Sequence, residues 1–253
     1  MSKSLIRNIF IFLSLAGAFP ALAQQSAFSE PQKAEIKALV REYILENPEI
    51  IPEAVEVLQA RDQARRIAAL GDALYAGPGA VVQGNPQGDA TLVEFFDYRC
   101  PYCKRGWQTI KRLIEEDPNL RVVFRQFPIK DAPGETISYD AARAALAAAR
   151  QGKYLAFHDA VFANPTVLTK ERVMEIAAKV GLDMDRLKKD MADPAIAQGI
   201  EESMMMAATL RLTGTPSYVV GESIISGLIS YEGLEQRIAA QRAAGRPAVA
   251  GGR

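Results

Sequence analysis

The apolar run Leu92-Val93-Glu94-Phe95-Phe96-Asp97 reads as a buried strand, and it leads almost directly into Cys100-Pro101-Tyr102-Cys103. A helix-compatible stretch, Lys104 to Glu116, follows, and these two cysteines are the only ones in 253 residues. Two cysteines one helical turn apart at a strand-to-helix junction point to reversible dithiol–disulfide exchange.

The reason is local. If the helix starts at the motif, Cys100 is its N-cap and Pro101 takes the first helical position, where a missing N–H costs nothing. The free N–H groups of the first turn and the helix dipole then favour a Cys100 thiolate. Arg99, Lys104 and Arg105 are expected to add positive charge. Cys100 is therefore the expected attacking sulfur and Cys103 the less exposed, resolving one. A structural zinc site needs about four ligands. Two Cys and one His, His158, do not supply them within one chain. A purely structural disulfide closing so short a loop gains little chain entropy.

Residues 1–23 have the pattern of a signal peptide: Lys3 and Arg7, an apolar core from Ile9 to Phe19, and Ala21-Leu22-Ala23 as the cleavage signal. An uncleaved anchor is the alternative. The mature chain is expected to start near Gln24, in an oxidising compartment, the bacterial periplasm. No later segment is long and apolar enough to cross a bilayer. With 30 basic and 30 acidic residues, the formal net charge is zero, and no basic stripe calls for nucleic acid. Unfolded proteins need no charge complementarity and remain candidate partners.

Residues 24–76 read as helical. Ser29 caps with Gln32 as capping-box partner, and Ile36, Leu39, Val40, Tyr43 and Ile44 follow at helical spacing until Asn47-Pro48. A second helix is expected from about Pro52 to Leu74, with the stripe Val57, Ala60, Ala64, Ile67 and Leu74 interrupted at Gly71. Too few large apolar residues are present for a core of its own. The segment either docks on the main domain or packs against copies of itself.

Gly77-Pro78-Gly79 and Gly84-Asn85-Pro86-Gln87-Gly88 flank a short Val81-Val82 strand and mark a boundary, giving a main domain over 77–242. Leu120 to Phe127 is a further strand. Residues 138–211 read as consecutive helices, among them Tyr139–Arg150, Tyr154–Phe162, Lys170–Val180 and one opened by Asp193-Pro194. Ser217–Val220 and Ser223–Ser226 form a hairpin about Gly221-Glu222; Ser230 caps a last helix, and 243–253 is a loose tail. The order strand, strand, Cys-helix, strand, helical block, hairpin, helix describes an α/β thioredoxin-type sheet interrupted by a helical insertion.

The run Glu94 to Lys104, the helical insert and Gly214-Thr215-Pro216-Ser217 together resemble the DsbA family of periplasmic thiol–disulfide oxidoreductases, over residues 80–242. The helices ahead of Gly84-Asn85-Pro86-Gln87-Gly88-Asp89 resemble the subgroup named for suppression of copper sensitivity, protein C (ScsC-like). The resemblance implies a thioredoxin-like fold with an inserted helical domain, preceded by an N-terminal helical oligomerisation segment. In that subgroup such a segment goes with trimers and isomerase activity. It implies no cofactor beyond a redox-active Cys100–Cys103 disulfide. Its implied partners are mispaired or unfolded secreted proteins and a membrane thiol reductant of the DsbD/ScsB type. Pro216 matches the family's cis-proline, lying opposite the motif and presenting the Thr215 backbone to a client. Glu94, an acid in an apolar strand, matches the family's acid that moves a proton for the resolving cysteine, here Cys103; an exposed, idle position on the strand is the alternative. Tyr102 departs from the histidine of the strongest oxidants. The expected potential therefore lies between the values of about −120 mV and about −270 mV for strong oxidants and thioredoxin.

Two competing readings remain. One is a monomeric dithiol oxidase; the other is a Cu(I)-binding or chaperone-like protein holding copper on Cys100 and Cys103. Met204-Met205-Met206 offers soft ligands, but consecutive residues point different ways round a helix, which favours packing. His158 reads as structural, and Trp107 as packing beside the motif's helix.

Overall fold

The computed structural model describes residues 28–245. The signal-peptide pattern at 1–23 and the tail beyond 245 lie outside the described residues.

Contacts divide the chain into two compact units, up to Glu53 and from Ala54 onward. The first contains helix α1 (Glu30–Glu46), with no buried residue. Ser29 and Gln32 form the capping box, and Asn47 ends the helix. Ile36, Leu39, Val40 and Tyr43 are all exposed.

Helix α2 spans Ile50–Leu70 and is followed by a 3-10 turn, Gly71–Leu74. It ends earlier than the expected Leu74 because Gly71 takes φ +50, a backbone conformation that ends the helix. The expected boundary at 76/77 is also corrected. Ile67 and Leu74 are buried in the same core cluster as Val93, Phe95, Val123 and Val219. Arg125, fully buried, donates from Nε to the Leu74 carbonyl at 3.2 Å and from Nη2 to the carbonyls of Ala73 and Ala76. Arg121 donates to Tyr75 O at 2.9 Å, and Arg66 to Leu210 O at 2.6 Å. Residues 54–76 are thus built into the main unit, and cutting at 76 removes part of its core.

That unit holds strands β1 (Ala80–Gly84), β2 (Ala90–Phe96), β3 (Leu120–Gln126), β4 (Ser217–Val220) and β5 (Ser223–Ser226), in the sheet order β1-β3-β2-β4-β5. β2 and β3 run parallel, joined through helix α3 (Pro101–Glu116); the other pairs are antiparallel. Alternation along the strands separates two faces. Leu92, Phe96, Val122, Phe124, Tyr218 and Val220 pack with α3, the insert and helix α9 (Tyr231–Ala243). Val93, Phe95, Val123 and Val219 pack on the other side, with Ile67, Leu74 and Leu210.

The insert comprises α4 (Ile137–Arg150), α5 (Tyr154–Ala163), α6 (Lys170–Lys179), α7 (Met184–Met191) and α8 (Pro194–Thr209). The alanines of α4 let it approach α5, α6, α7 and α8 closely. Asp183 caps α7, a helix that the sequence pattern does not separate from the block. No helix among the described residues is long and apolar enough to cross a membrane.

Candidate active site

Cys100 is the N-cap of α3 and Pro101 its first residue. Both thiols are free. The Cys100 S–H donates to the carbonyl oxygen of Thr215 at 3.1 Å, and the Thr215–Pro216 peptide is cis. The motif and the Thr215-Pro216 loop therefore meet, although only 1% of the Cys100 surface is exposed.

The two sulfurs are electrostatically opposite. Cys100 is pulled down to about 5, first by the Cys103 S–H donating to its sulfur, against burial, and further by the Thr215 side chain and the backbone N–H groups of Cys103 and Tyr102. The Thr215 hydroxyl is buried without another partner, so it is available to the thiolate. Cys103 is pushed far up by burial, by its bond to Cys100 and by the Glu94 charge.

The expected cations do not contribute in this way. Arg99 pairs with Asp131 at 3.0 Å and Glu135 at 2.6 Å. Lys104 Nζ donates to Asn164 O at 2.5 Å, and Arg105 lies over the Tyr102 ring at 4.4 Å. Thiolate stabilisation comes from the partner thiol, the Thr215 side chain and the helix start.

Glu94 is only 3% exposed, so the idle surface position is excluded. It sits opposite Tyr218 across the β2–β4 ladder and shares the α3-facing side of the sheet with Leu92 and Phe96. Burial, then the Cys100 charge, pushes it up to about 8. Glu94 therefore holds its proton through neutral pH and ionises only near 8, and its charge, when present, raises Cys103 further.

Asp97 is the residue that sequence reasoning missed. Its carboxylate accepts from Arg99 N at 2.7 Å, Ile129 N at 2.7 Å, Lys130 N at 2.8 Å and Ser138 Oγ at 2.9 Å. Its own carbonyl accepts from Cys100 N at 3.0 Å. It ties the end of β2 to the loop after β3 and to the start of α4. The available signal was an Asx-turn pattern, an aspartate two residues before Arg99 at a strand end.

A cleft of about 300 Å³ opens beside Cys100, with Tyr98, Pro101, Val161, Val167 and Leu168 among its walls. His158 is buried away from it, in contact with Phe96, Tyr98 and Trp107, and burial holds it down to about 3. Met206 is buried, Met204 half-buried and Met205 63% exposed, so the three point in different directions. No cluster of three or more His, Cys, Asp or Glu side chains suited to a metal occurs among the described residues.

A mixed five-stranded sheet that delivers a Cys-x-x-Cys motif to a helix N-terminus, opposite a cis-proline loop, is a thioredoxin arrangement, here with a helical insertion. Residues 91–239 match the DSBA-like thioredoxin domain, and residues 32–65 match the Copper resistance protein ScsC N-terminal domain. The chain belongs to the DSBA-like thioredoxin family and carries an ScsC-type N-terminal segment. Among solved structures, a thioredoxin-like oxidoreductase from Silicibacter pomeroyi is 42% identical with a TM-score of 0.65, covering 68% of this chain and 98% of that one. A linker-deleted mutant of ScsC from Proteus mirabilis is 27% identical with a TM-score of 0.67, covering 87% and 99%. A periplasmic thioredoxin-like protein from Salmonella enterica serovar Typhimurium is 26% identical with a TM-score of 0.59, covering 69% and 97%. The curated relatives are named Na(+)/H(+) antiporters; that of Salinispora tropica is 30% identical over 172 residues, which is 68% of this chain and 26% of the antiporter. The chain thus spans about a quarter of the length of that relative.

Proposed function

We propose that this chain is a periplasmic thiol–disulfide exchange enzyme that acts as a disulfide isomerase, with Cys100 as nucleophile and Cys103 as resolving thiol. The observation that carries the reading is the divided pair: Cys100 held down to about 5 and Cys103 held far up, one turn apart on α3.

The Cys100 thiolate attacks one sulfur of a client disulfide, forming a Cys100–client mixed disulfide and releasing the other client sulfur as a thiolate. In isomerisation a client thiolate then attacks the mixed disulfide, forming a new client pairing and returning the Cys100 thiolate, with no net electron transfer. In the escape route Cys103 passes its proton to the ionised form of Glu94 and attacks the Cys100 sulfur, which releases the client thiolate. The Cys100–Cys103 disulfide forms, and the client leaves reduced by two electrons, which a membrane thiol reductant of the DsbD/ScsB type restores. A firmly protonated Cys103 makes escape slow and leaves time for rearrangement, which favours isomerase over oxidase. The Thr215 backbone beside Pro216 is the docking edge for the client strand. The potential lies between about −120 and about −270 mV.

The exposed apolar residues of α1 and the match to the ScsC N-terminal domain support assembly of copies through that segment; a trimer is what the resemblance to that subgroup implies. Several motifs then surround one client. A link to copper tolerance rests on the name of that domain alone, and Cu(I) held by Cys100 and Cys103 is the competing role.

The test is reactivation of a scrambled, multiply mispaired substrate by residues 24–253 beside a chain starting at residue 54, which retains Ile67 and Leu74. Reactivation by the longer chain only, with both folded, supports an isomerase built by its N-terminal segment. If both chains only oxidise a reduced peptide, the isomerase reading fails and an oxidase replaces it.

A further inference from the structure

We propose that helix α5 of the insert orients the motif, with His158 and Asp159 as positioning residues that hold its two flanks. The proposal rests on the Cys100–Cys103 exchange reading.

His158 Nδ1 lies 2.9 Å from the hydroxyl of Tyr98, two residues ahead of Cys100. Asp159 Oδ1 accepts from Trp107 Nε1 at 2.7 Å and from Lys111 Nζ at 3.2 Å, four and eight residues past Cys103. Adjacent residues on a helix diverge by about 100°, which lets one short segment reach both the chain entering the motif and the helix leaving it. The C-cap of α5 adds a third hold, since the Asn164 carbonyl accepts from Lys104 Nζ.

The His158 grip is built for the interior. The imidazole is fully buried, and its other nitrogen, Nε2, has no hydrogen-bond partner. The ring is neutral, its Nδ1 shares one hydrogen bond with the Tyr98 hydroxyl, and Nε2 lies among the rings of Phe96, Trp107 and Phe162. A buried polar contact of this kind costs stability when one partner is removed, so it fixes the Tyr98 side chain rather than letting it choose among rotamers.

Position matters because the stabilisation of the Cys100 thiolate is directional. It needs the first N–H groups of α3 and the Cys103 S–H aimed at one sulfur. A tilt of α3, or a shift of the chain at Tyr98, weakens these bonds without touching either cysteine.

Tyr98→Phe, Asp159→Ala and Asp159→Asn in the full chain test this, by thiolate absorbance against pH and by the equilibrium with glutathione, alongside melting temperature. Tyr98→Phe and Asp159→Ala are each expected to raise the Cys100 midpoint by about half a unit or more, with a roughly threefold or larger shift in the glutathione equilibrium. Asp159→Asn, which keeps an acceptor for the indole, is expected to lie nearer the wild type. Folded variants that lose melting temperature but keep the wild-type midpoint and equilibrium overturn the proposal, and a shift in only one flank overturns the two-sided grip. A wild-type chain with no low thiol midpoint sinks the exchange reading itself, and this inference with it.

Discussion

The thiol of Cys100 meets the carbonyl of Thr215 at 3.1 Å, across 115 residues of chain. As a thiol it donates to that carbonyl. As a thiolate it gives up that bond and takes donors instead, from Cys103, from α3 and from the Thr215 hydroxyl. Thr215 thus touches the Cys100 sulfur in both protonation states.

Thr215→Val keeps the carbonyl and removes the hydroxyl. We expect the Cys100 midpoint to rise from about 5 while the fold is retained. Iodoacetamide trapping against pH reads the change. An unchanged midpoint means that the hydroxyl does not serve the thiolate.

Glu94 and Cys100 give opposite pH dependences in the reduced protein. The Cys100 folded value lies below that of an unfolded cysteine, so its stabilisation is complete above about pH 8.5 and is lost as pH falls through about 5. The Glu94 folded value lies above that of an unfolded glutamate, so its contribution is complete below about 4.3 and is lost as pH rises through about 8. Glu94→Gln removes the second effect. The variant should be more stable than the wild type at pH 8.5, by on the order of a few kcal/mol. It should also lose about 10²-fold in the rate of Cys103-dependent release. Denaturant unfolding at pH 5 and 8.5 and stopped-flow release of a mixed disulfide check the two parts.

Asp97→Asn is not conservative at this site. Four donors converge on the carboxylate, and an amide turns an N–H₂ group towards some of them. A loss of about 1–3 kcal/mol is expected from donors left unpaired. Chemical denaturation measures it, and wild-type stability rules out the role given to Asp97.

Two leucines separate folding from assembly. Leu74 is fully buried beside Val93 and Phe95, so Leu74→Ala should cost about 2–5 kcal/mol. Leu39 on α1 is exposed, so Leu39→Asp should leave folding of the main unit unchanged and reduce oligomer mass in light scattering. An unchanged oligomer removes α1 from the assembly.

Much of this was legible because it is local. Cys100 and Pro101 declare a helix start, as do Ser29 with Gln32 and Asp193 with Pro194; each helix starts there, and Ser29 and Asp193 cap with their side chains. The hairpin about Gly221 follows from turn chemistry, and Gly221 takes φ +58. What sequence did not disclose depends on partners far along the chain. Arg99 reads as a cation beside the motif, yet Asp131 and Glu135, 32 and 36 residues away, neutralise it. Three of the four donors to Asp97 lie 32, 33 and 41 residues on, two in a loop and one on α4. The α2 stripe shows an apolar face without saying what covers it, and Ile67 proves to belong to the main core. That Thr215 and Pro216 lie opposite the motif came from family resemblance, since no local pattern links residues 115 apart.

The central claim is that Cys100 is the attacking sulfur and Cys103 the resolving one. Mass spectrometry of Cys103→Ala and Cys100→Ala chains, each mixed at pH 7 with a disulfide-bonded client, tests it most directly. A stable mixed disulfide is expected at Cys100 in the Cys103→Ala chain, and no adduct in the Cys100→Ala chain. An adduct at Cys103, or none in either chain, contradicts it.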